Sequence, residues 1–281
     1  MKLSALQTFL TIIETGSLSR ASEKLNVTQS TVTARLQALE DDLGHTLLHR
    51  HRSGVSITAS GLRLKRYAEA MSDLWRQARQ EIALPDNVRL ICNFGVHHSL
   101  WTGLGEVLFA NICQLRPDIA VSLWAGNSAQ ISNWLDSGLV DIGLSHAADV
   151  KSNQSVMELA ADRLVLVSPD PQTPMEFDPG YIFIESGTDF GRQHATAYAR
   201  AGVANISFNN PVWGLNYLLE NGGSAYLPHR LVKQHLDQHR LYILAGAPEF
   251  TRRVYFSRND DTSSTWQWLD QALQMITKPC R

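Results

Sequence analysis

The chain has 281 residues, 44% of them apolar and 19% charged, with 25 Lys and Arg against 27 Asp and Glu. That length favours two domains or more, the apolar share is ample for real cores, and the near-neutral balance argues against a general polyanion binder. Charge is uneven along the chain: residues 1–84 carry a net +3 and the remainder a net −5. A modestly basic N-terminal part ahead of an acidic body suits a chain in which one part meets nucleic acid. Met1-Lys2-Leu3 leads directly into an amphipathic helix with Glu14 rather than a signal-peptide core, and no run of about 18 apolar residues exists, so a cytoplasmic protein with no membrane partner is expected.

From Gly16 to Leu36 the sequence reads as two short helices joined by a tight turn. Ser19 is expected to cap a helix that places Ala21 and Leu25 on one face. Asn26 suits the left-handed residue that ends it, and Thr28 caps the next helix. Val27 and Val32 form a hydrophobic staple that sets the angle between the two. The second helix buries Val32, Leu36, Leu39 and Leu43 and stops at Gly44; Ser30, Ala34 and Gln37 face away, with Thr33 and Gln29 on the flank. A helix of this kind enters a major groove N-terminus first. Gln29 can make a bidentate contact to adenine, and the hydroxyls of Thr28, Ser30 and Thr33 suit base edges or phosphates. A hairpin whose polar face is merely wet is the alternative. Glu40, Asp41 and Asp42 oppose the dipole at the far end of the helix, with no reading beyond solvation.

Leu47 to Arg50 then reads as a strand, Arg52-Ser53-Gly54 as a turn and Val55 to Thr58 as the returning strand. This is a wing. Arg50, His51 and Arg52 can lie along phosphates or dip into a minor groove, the alternative being a solvated charged hairpin. A long helix follows from Thr58 to Leu84, stopped by Pro85-Asp86-Asn87, with Leu64, Ala68, Met71, Trp75, Ala78 and Ile82 spaced as a coiled-coil seam. Pairing of this stripe between subunits is favoured over packing against the chain's own C-terminal part, because a two-fold dimer meets a pseudo-palindromic site.

After residue 87 strands and helices alternate. One set runs through Arg89–Gly95, Leu100–Arg116, Ala120–Ala125, Ser128–Ser137, Asp141–Ser145 and Arg163–Ser168, and a second from Tyr181 to Ile243, before a return through Arg253–Ser257 and a helix from Ser263 to Ile276. Two α/β lobes with a double crossover should enclose a cleft at the strand ends. His97-His98-Ser99, Asn127-Ser128 and Ser145-His146 follow successive strands of the first lobe, and Asn210 holds an equivalent place in the second. Each is singly a natural cap or turn residue; their convergence at one sheet edge is the argument for a small, anionic or polar ligand. No nucleophile, metal or dinucleotide motif is present, so catalysis is not expected. Cys92, Cys113 and Cys280 lack redox or metal spacing, and His235 with His239 lacks a third ligand, so neither metal nor other cofactor is expected.

Residues 1–84 resemble the DNA-binding domain of LysR-type transcriptional regulators in Leu6 to Phe9, Gly16-Ser17-Leu18, Thr28-Gln29-Ser30, Leu39-Glu40 with Leu43-Gly44, Leu47 to Arg50, and Ile57 to Gly61. Arg50-His51-Arg52 through Tyr67-Ala68-Glu69, Trp75 and Ala78-Arg79 are further similar to the HdfR-type subgroup, associated with control of the flagellar master operon. The resemblance implies a winged helix-turn-helix (1–58), a linker and dimerisation helix with a hinge (59–87), and an effector-binding domain like periplasmic solute-binding proteins (88–281). Lobe I of that domain would span about 88–160 and 250–281, lobe II about 161–249. It also implies a homodimer or homotetramer on double-stranded DNA, with contact to RNA polymerase left open. Many relatives carry Arg where this chain has Ala34, so guanine readout is not expected there, and Arg35 sits where a phosphate contact is favoured. A DNA-binding regulator with a vestigial effector domain, working without a ligand, is the alternative.

Overall fold

The structure, a computed structural model, describes residues 2–51, 54–85, 88–148, 151–159, 161–176, 178–199, 202–260 and 266–277. Its contacts divide the chain into two units, Met1–Pro85 and Asp86–Arg281.

In the first unit α1 (Leu3–Thr15) ends at Gly16, α2 spans Leu18–Lys24 and α3 spans Gln29–Leu43. Ser17, not Ser19, caps α2: its extended backbone lets its Oγ accept the Arg20 N–H at 3.5 Å, while Ser19 is already inside the helix. Asn26 takes the left-handed conformation at φ 52°, and Thr28 Oγ1 accepts the Thr31 N–H at 3.2 Å. Leu6, Phe9, Ile12, Ala21, Val32, Leu36 and Leu39 form one core, with Val27 packed against it. Leu43, expected in that core, is 39% exposed. It is the last helical residue, and the chain around it, residues 41–46, has already run past the core.

The wing is an antiparallel pair, β1 (Leu48–His51) and β2 (Gly54–Ile57), with Leu48 opposite Ile57. Glu40 does more than face solvent. Its Oε1 accepts the N–H groups of Leu47 at 2.7 Å and Leu48 at 3.2 Å, tying the wing to α3. Thr58 Oγ1 accepts the Gly61 N–H at 3.0 Å and donates to the Leu47 carbonyl, so the same link carries on into α4 (Ala59–Ile82). A Cβ on Gly61 would sit 2.2 Å from the Leu47 oxygen, which is why that turn holds glycine. The apolar stripe of α4 is divided. Leu64 and the fully buried Ala68 pack into the core just described, while Met71, Trp75 and Ile82 are exposed, Ile82 by 86%. Leu64 and Ala68 are therefore core residues of their own unit rather than a pairing seam, because they pack with α1 residues such as Leu6 and Phe9 in that core.

The second unit holds two mixed sheets. The first has the order β4-β3-β5-β13-β6, built from β3 (Leu90–His97), β4 (Ile119–Gly126), β5 (Ile142–Ser145), β6 (Gln154–Glu158) and β13 (Tyr255–Asn259). β4, β3 and β5 are parallel, so their C-terminal ends lie side by side. The helices of this lobe are α5 (Glu106–Leu115), α6 (Ser128–Asp136) and α10 (Trp268–Thr277). The second sheet has the order β11-β7-β10-β8-β9, with β12 also on β7. Its strands are β7 (Asp162–Ser168), β8 (Tyr181–Ile184), β9 (Ile206–Phe208), β10 (Ser224–Pro228), β11 (Tyr242–Ile243) and β12 (Phe250–Arg252), and its helices are α7 (Thr188–Ala197), α8 (Pro211–Asn221) and α9 (His229–Asp237). The chain crosses between β6 and β7 and returns between β12 and β13.

Two local readings are corrected, and a third lies outside the described residues. β6 and β12 carry no apolar run and escape periodicity; each is held by its neighbour, β13 and β7 respectively. The helix expected from Leu100 begins only at Glu106, after a turn at His98–Leu100 and a break at Thr102 (ψ 120°) and Gly103 (φ 88°). The start of the last helix at Ser263 lies outside the described residues, which show it from Trp268. Cys92 is buried and its thiol pushed up by desolvation, Cys113 is exposed, and Cys280 lies outside the described residues. Among the described residues no helix is long and apolar enough to cross a membrane.

Candidate nucleic-acid interface and inter-lobe site

The N-terminal turn of α3 is open and polar. Thr28, Gln29 and Ser30 are exposed, and Thr33 and Arg35 are half-buried. Thr28 Oγ1 lies 2.9 Å from Ser30 Oγ and 2.8 Å from Thr31 Oγ1, gathering three hydroxyls where the first helical N–H groups and the positive dipole end favour an anion. Gln29 and Arg35 have no side-chain partner among the described residues, whereas Gln37 donates to Asp41 at 2.8 Å and is spent within the helix. On the wing, Arg50 and His51 are exposed and His51 Nε2 lies 2.9 Å from Ser56 Oγ; Arg52 lies outside the described residues. Gln29 and Arg35 can therefore engage a groove without giving up a side-chain bond within the described residues, whereas Thr28, Ser30 and His51 would share theirs.

The polar groups between the two lobes are arranged in the opposite way. The junctions after β4, β3 and β5 bring Ser128, Ser99 and His146 together: the His146 N–H donates to Ser128 Oγ at 3.3 Å, and His146 Nε2 lies 3.0 Å from Ser99 Oγ. His97 Nδ1 is 2.8 Å from the same Ser99 oxygen, and His146 Nδ1 is 2.9 Å from the Arg253 carbonyl. That carbonyl can only accept, so His146 carries its proton on Nδ1 and its Nε2 accepts from Ser99 Oγ; His97 Nδ1 accepts the Ser99 backbone N–H at 3.2 Å. The chain of bonds needs neutral imidazoles. Burial first, then neighbouring His146, hold His97 down to about 3. Burial and then Arg252 hold His146 down to about 3.

Across from these stand three charged residues of the second lobe. Arg252 lies directly opposite Asp162 on paired strands and donates to Asp162 Oδ2 at 2.9 Å. Arg230, on the first turn of α9, donates to Asp162 Oδ1 at 3.1 Å and to the carbonyls of Ser99 and Thr102. The break at Thr102 and Gly103 has its reason here, since a continued helix would direct the Thr102 carbonyl along its own axis rather than to Arg230. Arg252 also donates to the Ser186 carbonyl at 3.3 Å, yet its Nε is buried without a partner among the described residues. Two guanidinium groups face one carboxylate beside two neutral imidazoles, so the cluster carries an excess positive charge that a small anion would balance.

The residues expected around the cleft therefore separate. Ser99, Ser128 and His146 form the cluster, and His98 joins only through ring contact with His97 at 4.4 Å. Ser145 Oγ is occupied locally by Ala147. Asn127 and Asn210 serve as helix caps: Asn127 exchanges side-chain and backbone bonds with Gln130, and Asn210 accepts the Val212 N–H at 2.9 Å. Sequence reasoning missed Asp162, Arg230 and Arg252. Their one local signal was the β10-to-α9 junction at Pro228, two residues before Arg230.

Residues 3–62 match the family described as bacterial regulatory helix-turn-helix protein, lysR family, and residues 92–274 match the LysR substrate binding domain. The HTH-type transcriptional regulator HdfR of Yersinia enterocolitica is 26% identical over 267 residues, covering 91% of this chain and 89% of that protein. Among solved structures, CbnR, described as a LysR family transcriptional regulator, superposes with a TM-score of 0.72 at 16% identity, covering 99% of this chain and 100% of the other. Full-length LysG of Corynebacterium glutamicum with bound effector Arg gives a TM-score of 0.55 at 18% identity, covering 99% and 98%. With its helix-turn-helix and most of its remaining length both matched, the chain belongs to the LysR family of DNA-binding transcriptional regulators.

Proposed function

We propose that this regulator reads a specific operator through α3 and its wing, and that a small effector held between its two lobes adjusts that binding. Thr28, Gln29, Ser30, Thr33 and Arg35 supply the contacts from the helix, Arg50 and His51 those from the wing, and Arg52 joins them on sequence grounds. Met71, Trp75, Ala78 and Ile82 pair two subunits, alone or within a tetramer, so that two helices meet a pseudo-palindromic site. The division into residues 1–58, 59–87 and 88–281 accompanies this reading, and the cytoplasm, where such an operator lies, is its place of action.

The observation that carries the effector half is the convergence of three strand ends on Ser99, Ser128 and His146, opposite a buried Arg252 with an unsatisfied N–H. A bound effector in the related LysG supports the same reading. One observation favours the ligand-free alternative: Arg230 already spans the lobes and occupies the carbonyls of Ser99 and Thr102.

Genome-wide occupancy of the tagged protein supplies the operator, on which variants are then compared. Gln29→Ala should lose about 1 to 3 kcal/mol on the operator and much less on a scrambled duplex. Equal loss on both would reduce Gln29 to a backbone contact. Ser99→Ala with Ser128→Ala should bind the operator as the wild type does while losing its response to metabolites that alter wild-type binding. If no metabolite alters wild-type binding, the ligand-free reading stands.

A further inference from the structure

A second cavity lies within the second lobe and shares no residue with the inter-lobe cluster. It measures about 280 Å³ and opens between the start of β8, the end of α7 and residues 202–205. At about 30 Å³ of liquid volume per water, that is room for roughly nine waters or one molecule of one or two rings.

Its wall is aromatic and internally satisfied. The Tyr181 ring stacks on His194 with centroids 5.6 Å apart and planes 14° from parallel, and the Tyr181 hydroxyl lies 2.8 Å from His194 Nε2. Tyr198 and Tyr226 hydroxyls are 2.6 Å apart, and Tyr226 donates to the Pro248 carbonyl at 2.9 Å, so Tyr198 is the donor of that pair. Burial lowers His194 and raises Tyr181 from their ordinary values, which favours the neutral form of both rings. Met175, Pro179, Val203 and Ala204 supply apolar surface, and Val203 is 96% exposed.

The charge at this cavity has the opposite sign to that between the lobes. Asp178 lines it and no Lys or Arg does among the described residues; Glu176 acts on Tyr198 with a second negative charge. Asp178 accepts from the Gly180 N–H at 2.9 Å and from Ser224 Oγ at 2.5 Å, which leaves carboxylate lone pairs for a further donor. A carboxylate ligand would be repelled. A flat neutral ring can stack on the Tyr181–His194 pair and meet the Met175 thioether, both favourable contacts.

We propose that this cavity binds a small neutral aromatic molecule bearing one ring N–H or O–H, of the indole or phenol class, independently of the inter-lobe site. The test is calorimetric titration of the full chain with indole, with benzoate as an anionic probe of similar size. Saturable binding of one indole per chain is expected, weakened about tenfold or more by Ala204→Trp, which fills the cavity from a surface loop. Ser99→Ala with Ser128→Ala should leave indole affinity unchanged. Thermal melting and operator binding of Ala204→Trp report whether it folds, and Met175→Ala, which removes a wall without filling the cavity, should weaken indole in a chain of native stability. Absence of saturable indole binding at millimolar concentration, tighter binding of benzoate at this site, or indole binding that survives Ala204→Trp and Met175→Ala but is lost in the serine variant would overturn the proposal.

Discussion

The face of α3 and the cluster between the lobes use the same kinds of side chain, hydroxyls, an amide or imidazole, and arginine, in opposite states. On α3, Gln29 and Arg35 are without side-chain partners among the described residues, and water satisfies them. Between the lobes Ser99, His97, His146, Asp162, Arg230 and Arg252 are bound to one another and to backbone carbonyls. An exposed donor waiting for a partner costs almost nothing, whereas a buried one left unmade costs about 1 to 3 kcal/mol. A partner of Gln29 and Arg35 therefore displaces only water. A ligand between the lobes has to replace existing bonds, and its binding can change the lobes only as far as it prefers one arrangement of them.

The largest break in this comparison is Asp162→Ala, which would strand two guanidinium groups, one of them 8% exposed, beside neutral imidazoles. A loss of about 3 to 5 kcal/mol in stability is expected, read by urea denaturation. A loss below about 1 kcal/mol would mean that solvent already screens the cluster.

Acid tests the imidazoles. His97 and His146 titrate near 3 in the folded chain, below the 6.5 of a free histidine. The unfolded chain therefore binds protons first, and stability is complete above about pH 6.5 and falls as pH drops toward 3. The loss between pH 7 and 5 should be about 2 kcal/mol per group and up to about 4 for the two together, since each unit of titration carries 1.36 kcal/mol at most per group. His97→Asn should flatten the dependence, and an equally steep profile in that variant would assign the acid sensitivity to other groups.

The exposed side yields the smallest effect. Arg50→Ala should reduce the slope of log affinity against log salt by about one unit if Arg50 meets one phosphate, with sequence preference unchanged. A constant slope with altered preference in flanking A/T-rich sequence would assign Arg50 to groove shape instead.

Much of the first unit was legible because its signals are local. Thr28, Asn26, Gly44 and the Val32-Leu36-Leu39 stripe each act within a few residues of chain, and the structure shows each in the expected state. Failures there came where a local signal had competitors. The cap expected at Ser19 falls two residues earlier, at Ser17, which has the extended backbone a cap requires while Ser19 lies inside the helix. In α4 the spacing of Leu64, Ala68, Met71 and Trp75 is regular, so nothing along the helix marks where its stripe leaves the core of its own unit.

The sequence by itself determined the helix-turn-helix and wing, the alternation of strands and helices that makes two α/β lobes, and the serines and histidines at the strand ends. These follow from periodicity and capping, which are properties of neighbouring residues. The tertiary structure alone decided the charged half of the inter-lobe cluster, since Asp162 and Arg252 lie 90 residues apart in the chain and meet only through the register of β7 with β12. It also decided the break at Thr102 and Gly103, where a carbonyl turned toward Arg230 from the other lobe outweighs the helical propensity of its own segment.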